Sequence, residues 1–553
     1  MSAYDDRPWL AQYGDRPAHQ RVEYPTVLHM FDAAVDAVPD RPAIRYFDST
    51  VTWRQLDAAS DAMAGLLLAR GFPPGGRVVL CLQNDPAFVI GLIAAWKVGG
   101  IAAPVSPMSE PDELARVLRR YTPGALLVLE DLYRDVVAGE LDAAAAQWAV
   151  PIVLTVSALD GQTRDDPRVF AELVRDRPAD TVDLAALIAG RRTTAPVRRR
   201  VGPGDVAVLM STSGTTGFPK AAQISHANLS FNTQTYREWT GLREGEPVLA
   251  LAPVFHVTGL VGGITLSILL RSPLVLTHRI LPPVIADAIR EWRPAFAVAA
   301  ITAYIGLADN SDITAEEMAP LRLRYSGGAP IDPDLAERLE SALGGYIHNI
   351  YGQTETTSPS HVVPSGRRAP VDAETGVLSV GVPVSNTVVR VVDEDGRDLP
   401  VGEIGELITT GPQVISGYWD DPEATAEALA GGDLHTGDVG FMDADGWFYV
   451  VDRSKDLINA AGYKVWPHEV EQALMRHPEV LEAAVVSIPD DYRGESVKAF
   501  VVLREGATVV ESDLVDFGRE RLAAYKYPRE VELVAALPRS ATGKLLRRNL
   551  RES

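Results

Sequence analysis

Short apolar runs alternate with helix-like patterns along roughly the first half of the chain. Six runs are nearly all apolar and end at turn residues, which is typical of strands buried on both faces of a sheet. These runs span residues 78–82, 125–129, 151–155, 206–210, 247–251 and 273–277. Helical patterns at 55–70 and 86–98 lie between them, and each is followed by glycine, a common residue just past a helix end. The pattern therefore predicts α/β layers with substantial parallel sheet.

After about residue 376 the pattern becomes β-like and rich in turn signals. Strand patterns at 388–392, 405–409 and 443–450 are separated by turn residues, which is typical of an antiparallel β-subdomain. A compact mixed segment follows Asp452, with helices predicted at 469–477 and 511–522 and strands at 483–488 and 498–503. A boundary near 451–456 leaves about 100 residues, a usual size for a small α+β domain.

The composition is that of an ordinary folded protein with more than one domain. Of its 553 residues, 46% are hydrophobic and 23% are charged. The single cysteine, Cys81, excludes an intramolecular disulfide and a cysteine-based metal site, and it favours a reducing compartment. The N-terminus carries acids where a signal peptide carries basic residues, and no apolar stretch is long enough to span a membrane. We therefore expect a cytoplasmic protein.

The charge balance argues against a nucleic-acid partner. The chain has 74 acidic and 52 basic residues, and its net charge of −22 repels a phosphate backbone. The short runs of alanine and of arginine are expected to be structural and not functional. The alanines at 143–146 are expected on a helix surface, and the arginines at 191–192 and 198–200 are expected in a solvated linker.

Residues 211–220 are the most informative segment for chemistry. Their sequence is Ser-Thr-Ser-Gly-Thr-Thr-Gly-Phe-Pro-Lys, and they directly follow a predicted buried strand. Glycines let the backbone approach a ligand, while clustered hydroxyl and N–H groups suit a phosphate. The segment is not a Walker A loop, because Gly214 and Gly217 are three positions apart and Pro219 precedes Lys220. The alternative is a Ser/Thr-rich surface turn.

Further motifs follow this loop in order along the chain. They lie at residues 325–330 (Tyr-Ser-Gly-Gly-Ala-Pro), 349–355 (Asn-Ile-Tyr-Gly-Gln-Thr-Glu), 435–438 (His-Thr-Gly-Asp), 452–456 (Asp-Arg-Ser-Lys-Asp), 462–464 (Gly-Tyr-Lys) and 538–544 (Pro-Arg-Ser-Ala-Thr-Gly-Lys). The ordered set resembles the adenylate-forming superfamily of acyl-CoA synthetases, nonribosomal adenylation domains and beetle luciferases. It is most similar to the medium- or long-chain fatty-acid type of acyl-CoA synthetase. The resemblance runs from about Tyr24 to the C-terminus.

This resemblance implies a two-step ligation. ATP would convert a carboxylic acid to an acyl-adenylate with loss of pyrophosphate, and the thiol of coenzyme A would then accept the acyl group. ATP, Mg²⁺ and CoA are the implied cofactors. The implied fold has a large multi-subdomain α/β N-terminal AMP-binding domain (1–452), a hinge (453–456) that turns about Lys455, and a small mobile α+β C-terminal lid domain (457–553).

The nucleotide site is expected to involve residues from several of these motifs. Asp438 is suited to accept both ribose hydroxyls, and Arg453 would supply a second ribose contact; the alternatives are a turn aspartate and a surface arginine. By resemblance, Tyr351 would lie against adenine and Asn349 would bond its exocyclic amine. The full set expected to bind nucleotide is Thr212, Ser213, Gly214, Thr215, Thr216, Gly217, Lys220, Gly328, Ala329, Pro330, Asn349, Ile350, Tyr351, Gly352, Thr354, Asp438, Arg453 and Lys544.

Catalysis is expected to require a metal ligand and a mobile lysine. Glu355 offers hard oxygen donors in a polar turn, which suits Mg²⁺, although it is also typical of an exposed glutamate at a helix start. Lys544 lies in a basic tail where the family places its catalytic lysine; the alternative is a solvated lysine. By resemblance, Gly462 and Tyr463 would face CoA once the lid has turned. The catalytic set is Lys544, Thr212, His256 and Glu355, and the metal set is Glu355 and Thr215.

The acyl pocket is predicted from a histidine and a group of glycines. His256 stands where amino-acid-activating relatives place an aspartate, so an α-amino acid is disfavoured; His256 is a pocket wall, a catalytic base or a structural histidine. Gly259, Gly262 and Gly263 either leave volume for an extended or bulky apolar acyl group or allow close helix packing. Ile301 replaces a proline that many relatives carry. The full set expected to line the pocket is His256, Val257, Gly259, Gly263, Ile301 and Gly327.

Two other functions are open alternatives. One is a stand-alone adenylating enzyme that loads the phosphopantetheine arm of an acyl carrier protein, although the insertion that distinguishes fatty-acyl-AMP ligases is not evident, which favours CoA. The other is a non-catalytic nucleotide- or acyl-adenylate-binding protein, against which Lys220, Glu355, Asp438 and Lys544 argue. The expected partners are therefore small molecules, without nucleic acid or a membrane span. A homodimer is left open.

Overall fold

The structure is a computed structural model that describes residues 2–137, 139, 150–190, 198–212, 220–460, 463–490, 494–539 and 545–551. Several residues singled out from the sequence lie outside the described residues. They are the alanines at 143–146, the arginines at 191–192, loop residues 213–217, Gly462 and Lys544.

The strands and helices alternate along much of the chain. The strands are β1 (Pro42–Tyr46), β2 (Ser49–Thr52), β3 (Arg77–Cys81), β4 (Ile101–Pro104), β5 (Ala125–Leu129), β6 (Val153–Val156), β7 (Val182–Asp183), β8 (Val206–Ser211), β9 (Ala221–Ser225), β10 (Val248–Leu249), β11 (Leu274–Leu276), β12 (Phe296–Ala299), β13 (Leu323–Ser326), β14 (Ile347–Gln353), β15 (Ser358–Val362), β16 (Val382–Pro383), β17 (Val388–Val392), β18 (Gly405–Thr410), β19 (Leu434–Met442), β20 (Phe448–Arg453), β21 (Ile458–Ala460), β22 (Tyr463–Val465), β23 (Val480–Asp490), β24 (Gly494–Leu503) and β25 (Glu530–Leu533). The longer α-helices are Val27–Ala37, Trp53–Ala69, Pro86–Lys97, Pro111–Tyr121, Leu184–Gly190, His226–Thr240, Pro282–Trp292, Ile301–Asp309, Pro333–Leu343, Pro422–Ala428, Pro467–Met475 and Glu511–Arg521. Shorter helices and helical turns are Pro8–Gln12, Glu130–Leu132, Tyr133–Val137, Pro167–Phe170, Val257–Gly259, Leu260–Thr265, Leu266–Leu269, Ala315–Met318, Thr354–Thr356, Ala430–Gly432, Ser454–Asp456 and Arg547–Arg551.

One seven-stranded sheet carries the segment that leads into the candidate phosphate loop. Its order is β7-β6-β5-β3-β4-β8-β9, and all neighbours are parallel except β8 and β9. The central strands are buried on both faces, as their continuous apolar sequences predict. Cys81, in β3, has no exposed surface. The predicted parallel α/β layer is confirmed here.

A second sheet of nine strands carries most of the other candidate site residues. Its order is β16-β15-β14-β13-β12-β10-β11-β1-β2, and the strands from β14 to β1 run parallel. The carboxyl ends of β12, β13 and β14 lie side by side, so the residues that follow them meet at one edge. Two predicted strands are shorter than expected, since 247–251 forms only Val248–Leu249 and 273–277 only Leu274–Leu276.

The later part of the chain has the predicted change in architecture. Strands β17-β18-β19-β20 form an antiparallel sheet, and β22-β21-β24-β23 form another, to which β25 is added parallel to β24. The helix Pro467–Met475 packs on the second of these sheets through Val470 and Leu474. The expected α/β class, with an antiparallel β-subdomain and a small α+β part, is confirmed. The boundaries at 452 and 456 stay predictions.

The prediction of a solvated linker at 198–200 is wrong for the Arg198 side chain, which pairs with three aspartates. The Arg198 guanidinium lies 3.0 Å from Asp32, 2.8 Å from Asp57 and 3.0 Å from Asp61. The cause is Lys97, whose side chain is fully buried and whose Nζ lies 2.7 Å from Asp57 and 2.8 Å from Asp61. A buried ammonium requires carboxylate partners, and the surplus of carboxylates then requires a second cation. Arg198 supplies that charge.

In the described ranges, no helix is both long enough and apolar enough to cross a bilayer.

Candidate active site

An ion pair between Asp438 and Arg453 lies at the centre of the candidate nucleotide site. The two residues face each other in the register of β19 and β20, and Arg453 Nε lies 2.9 Å from Asp438 Oδ1. Asp438 is 4% exposed, and its charge raises the pKa of the Arg453 guanidinium. The fifteen-residue separation in sequence is closed by a hairpin. The two residues predicted to contact ribose are therefore adjacent.

Two side chains of β14 donate to the other oxygen of the same carboxylate. The Tyr351 hydroxyl and Gln353 Nε2 each lie 2.6 Å from Asp438 Oδ2. Alternate residues of a strand point to the same face, which is why positions 351 and 353 reach one acceptor. Burial, with the nearby Asp438 charge, raises the pKa of Tyr351 well above its ordinary value, so the hydroxyl keeps its proton.

Gln353 is a site residue that the sequence analysis missed. Its Nε2 also donates to the Thr436 carbonyl, 2.8 Å away, and so ties β14 to β19 two residues before Asp438. The available signal was its two-residue spacing from Tyr351 on a predicted strand. The predicted role of Tyr351, stacking on adenine, stays a prediction.

Glu355 lies in the turn Thr354–Thr356 that follows β14. Its Oε1 accepts a hydrogen bond of 2.7 Å from the Tyr418 hydroxyl, and its backbone carbonyl accepts one of 2.9 Å from Ile415 N. Within the described part of the chain, no hydrogen bond engages Oε2. A half-buried carboxylate whose Oε2 accepts no hydrogen bond from the described residues fits Mg²⁺, which takes one or two carboxylates and completes its shell with water and phosphate.

The candidate phosphate loop joins β8 to β9, and its two ends are fixed. Ser211 pairs with Ala221 across the two strands, and Thr212 N donates to the Lys220 carbonyl at 2.8 Å. The Ser211 hydroxyl lies 2.8 Å from the Tyr121 hydroxyl. Residues 213–217, including the candidate metal ligand Thr215, lie outside the described residues.

Lys220, at the end of this loop, faces Tyr418 and a surface acid. Its Nζ lies 5.2 Å from the centre of the Tyr418 ring and 3.6 Å from Glu427 Oε2. The Lys220 side chain is 35% exposed, and its contact with phosphate stays a prediction. Tyr418 was not predicted from the sequence, because a tyrosine in a Gly-Tyr-Trp turn carries no local signal of what it contacts.

The predicted acyl residue Gly327 and the predicted nucleotide residues Gly328, Ala329 and Pro330 directly follow β13, beside β14. A side chain on Gly327 would meet the Ile350 carbonyl at 2.5 Å, so this position requires glycine. Gly328 has a φ of +85°, in the left-handed region that glycine adopts without strain, and it leads into Ala329 and Pro330. Asn349 is buried; its Nδ2 donates to the Ser379 carbonyl at 3.1 Å and its Oδ1 accepts from Ile350 N. Contacts with adenine stay predictions.

The glycines of the predicted acyl pocket are not equivalent. A Cβ on Gly259 would lie 2.2 Å from the Pro253 carbonyl, and one on Gly262 would lie 2.5 Å from Val298 Cγ1. A Cβ on Gly263 would meet only Leu274, at an ordinary 3.8 Å. The close-packing alternative therefore explains Gly259 and Gly262. Gly263 is the position with room.

The other predicted acyl residues lie near these glycines in sequence or at the ends of neighbouring strands. His256 is half-buried and precedes the helical turn Val257–Gly259, which continues as a π-type turn to Thr265. Ile301, 5% exposed, begins the helix that follows β12. Their contacts with a substrate stay predictions.

The predicted hinge and lid residues are described only in part. Lys455 lies exposed in the turn Ser454–Asp456, directly after β20. Tyr463 is the first residue of β22, but only its backbone is described. Lys544 and Gly462 lie outside the described residues. The lid mechanism is therefore a proposal.

Comparison with known proteins shows the family. Residues 31–419 match the family described as AMP-binding enzyme, and residues 469–544 match AMP-binding enzyme C-terminal domain. A long-chain-fatty-acid–CoA ligase from Bacillus subtilis (strain 168) is 32% identical over 557 residues, covering 99% of this chain and 98% of that protein. A feruloyl-CoA synthase from an Amycolatopsis species is 33% identical over 518 residues, covering 93% and 96%.

Solved structures agree with this result. ATP-bound MatB from Rhodopseudomonas palustris superposes with a TM-score of 0.83 at 27% identity, covering 95% of this chain and 98% of that one. The o-succinylbenzoate CoA synthetase MenE from Bacillus subtilis, in complex with its acyl-adenylate intermediate, gives 0.80 at 27% identity, covering 96% and 98%. The chain belongs to the AMP-binding enzyme family, and the prediction of an adenylate-forming acid–CoA ligase is confirmed.

Proposed function

We propose that this protein activates an apolar or bulky carboxylic acid with Mg²⁺-ATP and transfers the acyl group from the adenylate to CoA in the cytoplasm. Two sets of contacts carry the proposal. Arg453 and Tyr351 hold Asp438, and Tyr418 contacts both Glu355 and Lys220. A ribose acceptor, a hard-metal ligand and a phosphate-binding cation are the groups that adenylation requires.

Each group has a distinct role in the first half-reaction. Asp438 and Arg453 bind the ribose, and Lys220 with the N–H groups of the loop binds phosphate. Glu355 would hold Mg²⁺, with Thr215 as the second candidate ligand, and the bound ion would neutralise charge on the phosphates. The substrate carboxylate attacks the α-phosphorus and pyrophosphate leaves. Positioning and charge stabilisation supply the rate, so no nucleophilic side chain is required.

The second half-reaction requires a different arrangement of the C-terminal part. We propose that residues after the hinge turn about Lys455, so that Lys544 withdraws and the loop containing Gly462 and Tyr463 approaches the nucleotide. The CoA thiol then attacks the acyl carbonyl, forming the thioester and releasing AMP. The Asp438 contact with ribose is needed in both arrangements.

The acid is constrained by charge and by space. His256 occupies the position of the aspartate that relatives use to bind an α-ammonium group, so a substrate with that cation lacks its partner. Gly263 leaves room beside Leu274, whereas Gly259 and Gly262 are filled by neighbouring atoms. The named relatives act on long-chain fatty acids and on ferulate, which are apolar or bulky acids. The same chemical class is proposed for this chain.

Acid-dependent exchange of labelled pyrophosphate into ATP tests the adenylation step. We expect exchange with members of a series of fatty and aromatic acids, and little with free amino acids. Turnover of the best acid is then compared on CoA and on a holo-acyl carrier protein, the alternative acceptor. If the protein exchanges pyrophosphate and loads the carrier protein but does not form acyl-CoA, the acceptor is the carrier protein and not CoA. Absence of exchange with every acid would indicate a non-catalytic binding protein.

A further inference from the structure

Tyr418 lies between the two candidate phosphate-site groups of opposite charge. Its hydroxyl donates to Glu355 Oε1 at 2.7 Å, and its ring centre lies 5.2 Å from Lys220 Nζ. Tyr418 is 7% exposed. A single side chain therefore contacts both the candidate metal ligand and the candidate phosphate-binding cation.

The backbone around Tyr418 is held against β9 and fixes where the ring points. Gln223 N donates to the Gly417 carbonyl at 3.0 Å, and Trp419 N donates to the Ala221 carbonyl at 2.8 Å. Tyr418 N donates to Thr425 Oγ1 at 2.9 Å. These bonds add residues 417–419 to the edge of the strand that leaves the phosphate loop. The ring consequently keeps a fixed position relative to Lys220.

The same segment also holds the backbone of Glu355. Ile415 N donates to the Glu355 carbonyl at 2.9 Å, so the main chain and side chain of Glu355 are both bound by residues 415–418. A tyrosine that served only as core packing would satisfy its hydroxyl with any nearby acceptor. Here the acceptor is a carboxylate of the site, and the ring faces a cation, which is the favourable geometry for a cation–π contact.

The position of Tyr418 also bears on the charges of Glu355 and Lys220. Glu355 and Lys220 have opposite charges, and direct pairing would neutralise the groups that the metal and the phosphate need. Among the described residues Lys220 pairs with Glu427, at 3.6 Å, and not with Glu355. Tyr418 instead contacts each of them through a different part of its side chain.

We propose that Tyr418 is a positioning residue for the phosphate-binding half of the site. Its hydroxyl holds Glu355 Oε1, which would leave Oε2 for Mg²⁺, and its ring holds the Lys220 amine, which would bind phosphate. This inference rests on the proposed function, because it takes Glu355 as the metal ligand and Lys220 as a phosphate contact. It predicts that the Tyr418 hydroxyl affects the Mg²⁺-dependent part of ATP binding and that the Tyr418 ring affects ATP binding without metal.

Binding of ATP without acid, measured by titration calorimetry in Mg²⁺ and in EDTA, separates these properties. Tyr418→Phe removes the hydroxyl and keeps the ring, so it should raise the Kd in Mg²⁺ roughly 3- to 10-fold and leave the Kd in EDTA unchanged. Tyr418→Leu also removes the ring, and it should raise the Kd in EDTA about 2- to 5-fold as well. Thermal unfolding checks that each variant folds.

Tyr449→Phe is the matched control. The Tyr449 hydroxyl also donates to a carboxylate, Asp443 Oδ2 at 2.9 Å, but neither residue belongs to the site. Its removal should change neither Kd. A double-mutant cycle gives the decisive comparison, because in a Glu355→Gln background Tyr418→Phe should have no further effect on Mg²⁺ dependence.

The measurements distinguish failure of the proposed metal site from failure of the proposed role of Tyr418. A wild-type protein that binds ATP equally in Mg²⁺ and in EDTA contradicts the metal site, and with it the role of Tyr418. A Mg²⁺-dependent wild type whose Tyr418→Phe variant shows the same Mg²⁺ dependence overturns the role of Tyr418 alone. Additive effects in the double-mutant cycle also overturn it.

Discussion

Asp452 Oδ2 accepts a hydrogen bond of 3.1 Å from the backbone N–H of His468, across the predicted hinge residue Lys455. Asp452 is the residue before Arg453, which ends β20, whereas His468 lies in the first turn of the helix Pro467–Met475. The carboxylate is 8% exposed, and burial raises its pKa, an effect that Arg547 opposes. Rotation about Lys455 would move His468 away from Asp452. The bond is therefore expected in only one of the two arrangements.

Removal of this bond should change the balance between the half-reactions. Asp452→Gly deletes the acceptor, and the loss of about 1 kcal/mol corresponds to roughly a fivefold shift between the arrangements. Asp452→Asn keeps an oxygen acceptor and should shift the balance less. Pyrophosphate exchange and thioester formation from supplied acyl-adenylate should change in opposite directions. Equal changes in both rates would mean that the bond is not coupled to the hinge.

Asp438→Asn should weaken nucleotide binding in both half-reactions. The variant keeps the size of the side chain but removes the charge that pairs with Arg453, and it leaves that guanidinium without its closest counter-ion. We expect the KM for ATP and the Kd for acyl-adenylate each to rise about tenfold or more. Steady-state exchange kinetics and equilibrium binding of a stable acyl-adenylate analogue measure the two values. If neither value changes, Asp438 is not in the site.

Lys544→Ala and Gly462→Trp should have opposite effects on the two steps. Loss of a cation placed where negative charge is crowded costs on the order of 10²- to 10³-fold in rate, so Lys544→Ala should cripple pyrophosphate exchange. It should still make thioester from supplied acyl-adenylate and CoA at close to the wild-type rate. Gly462→Trp should exchange pyrophosphate normally and block CoA. Equal loss of both steps in both folded variants would refute the two-arrangement mechanism.

The adjacent glycines Gly262 and Gly263 should differ sharply in how much stability is lost when each is replaced by alanine. Gly262→Ala places a methyl group 2.5 Å from Val298 Cγ1 and should cost roughly 1–3 kcal/mol in the free energy of unfolding. Gly263→Ala adds a group at an ordinary distance and should be near neutral. Denaturant unfolding compares the two variants, and similar costs would contradict the packing described here.

Gly263→Leu then tests whether this position borders the acyl group. A larger side chain should suppress activation of long or bulky acids and spare a short acid, because the added methylenes compete with substrate for the same space. Pyrophosphate exchange with a graded series of acids measures the effect. Uniform loss for all acids, with folding intact, would remove Gly263 from the pocket.

The buried imidazole of His226 should make the fold sensitive to acid. Burial lowers its pKa to about 4, and both ring nitrogens lack a hydrogen-bond partner among the described residues. An unfolded histidine titrates near 6.5, so its contribution to stability is present above that pH and is lost as the pH falls toward 4. Between pH 7 and 5 this amounts to a loss on the order of 2 kcal/mol.

His226→Phe should reduce this pH dependence while keeping the edge contact with Trp96, whose ring centre is 5.8 Å away. Urea unfolding at pH 7 and pH 5 gives the comparison. His348 and His361 are also buried with lowered pKa values, about 4 and about 3, so some acid sensitivity should remain. If the variant loses as much unfolding free energy between pH 7 and pH 5 as the wild type does, His226 does not contribute to the acid sensitivity.

Local patterns predicted the strands and the motif residues, but not the contacts between motifs. The α/β layers follow from apolar runs such as Ala125–Leu129, which coincides with β5. Lys97 gave no signal of being buried, so the role of Arg198 was missed. Tyr418 is 63 residues from Glu355, and Gln353 is 85 residues from Asp438. Such pairs depend on how sheets are placed, which periodicity does not encode.

The environment of Cys81 makes the intact chain suited to site-specific labelling. The thiol has no exposed surface, and burial raises its pKa, so the reactive thiolate is disfavoured at neutral pH and reagents do not reach the sulfur. Fluorophore pairs attached to cysteines introduced on either side of Lys455 would report rotation of the lid without interference from the native residue. Turnover could then be followed as movement in single molecules.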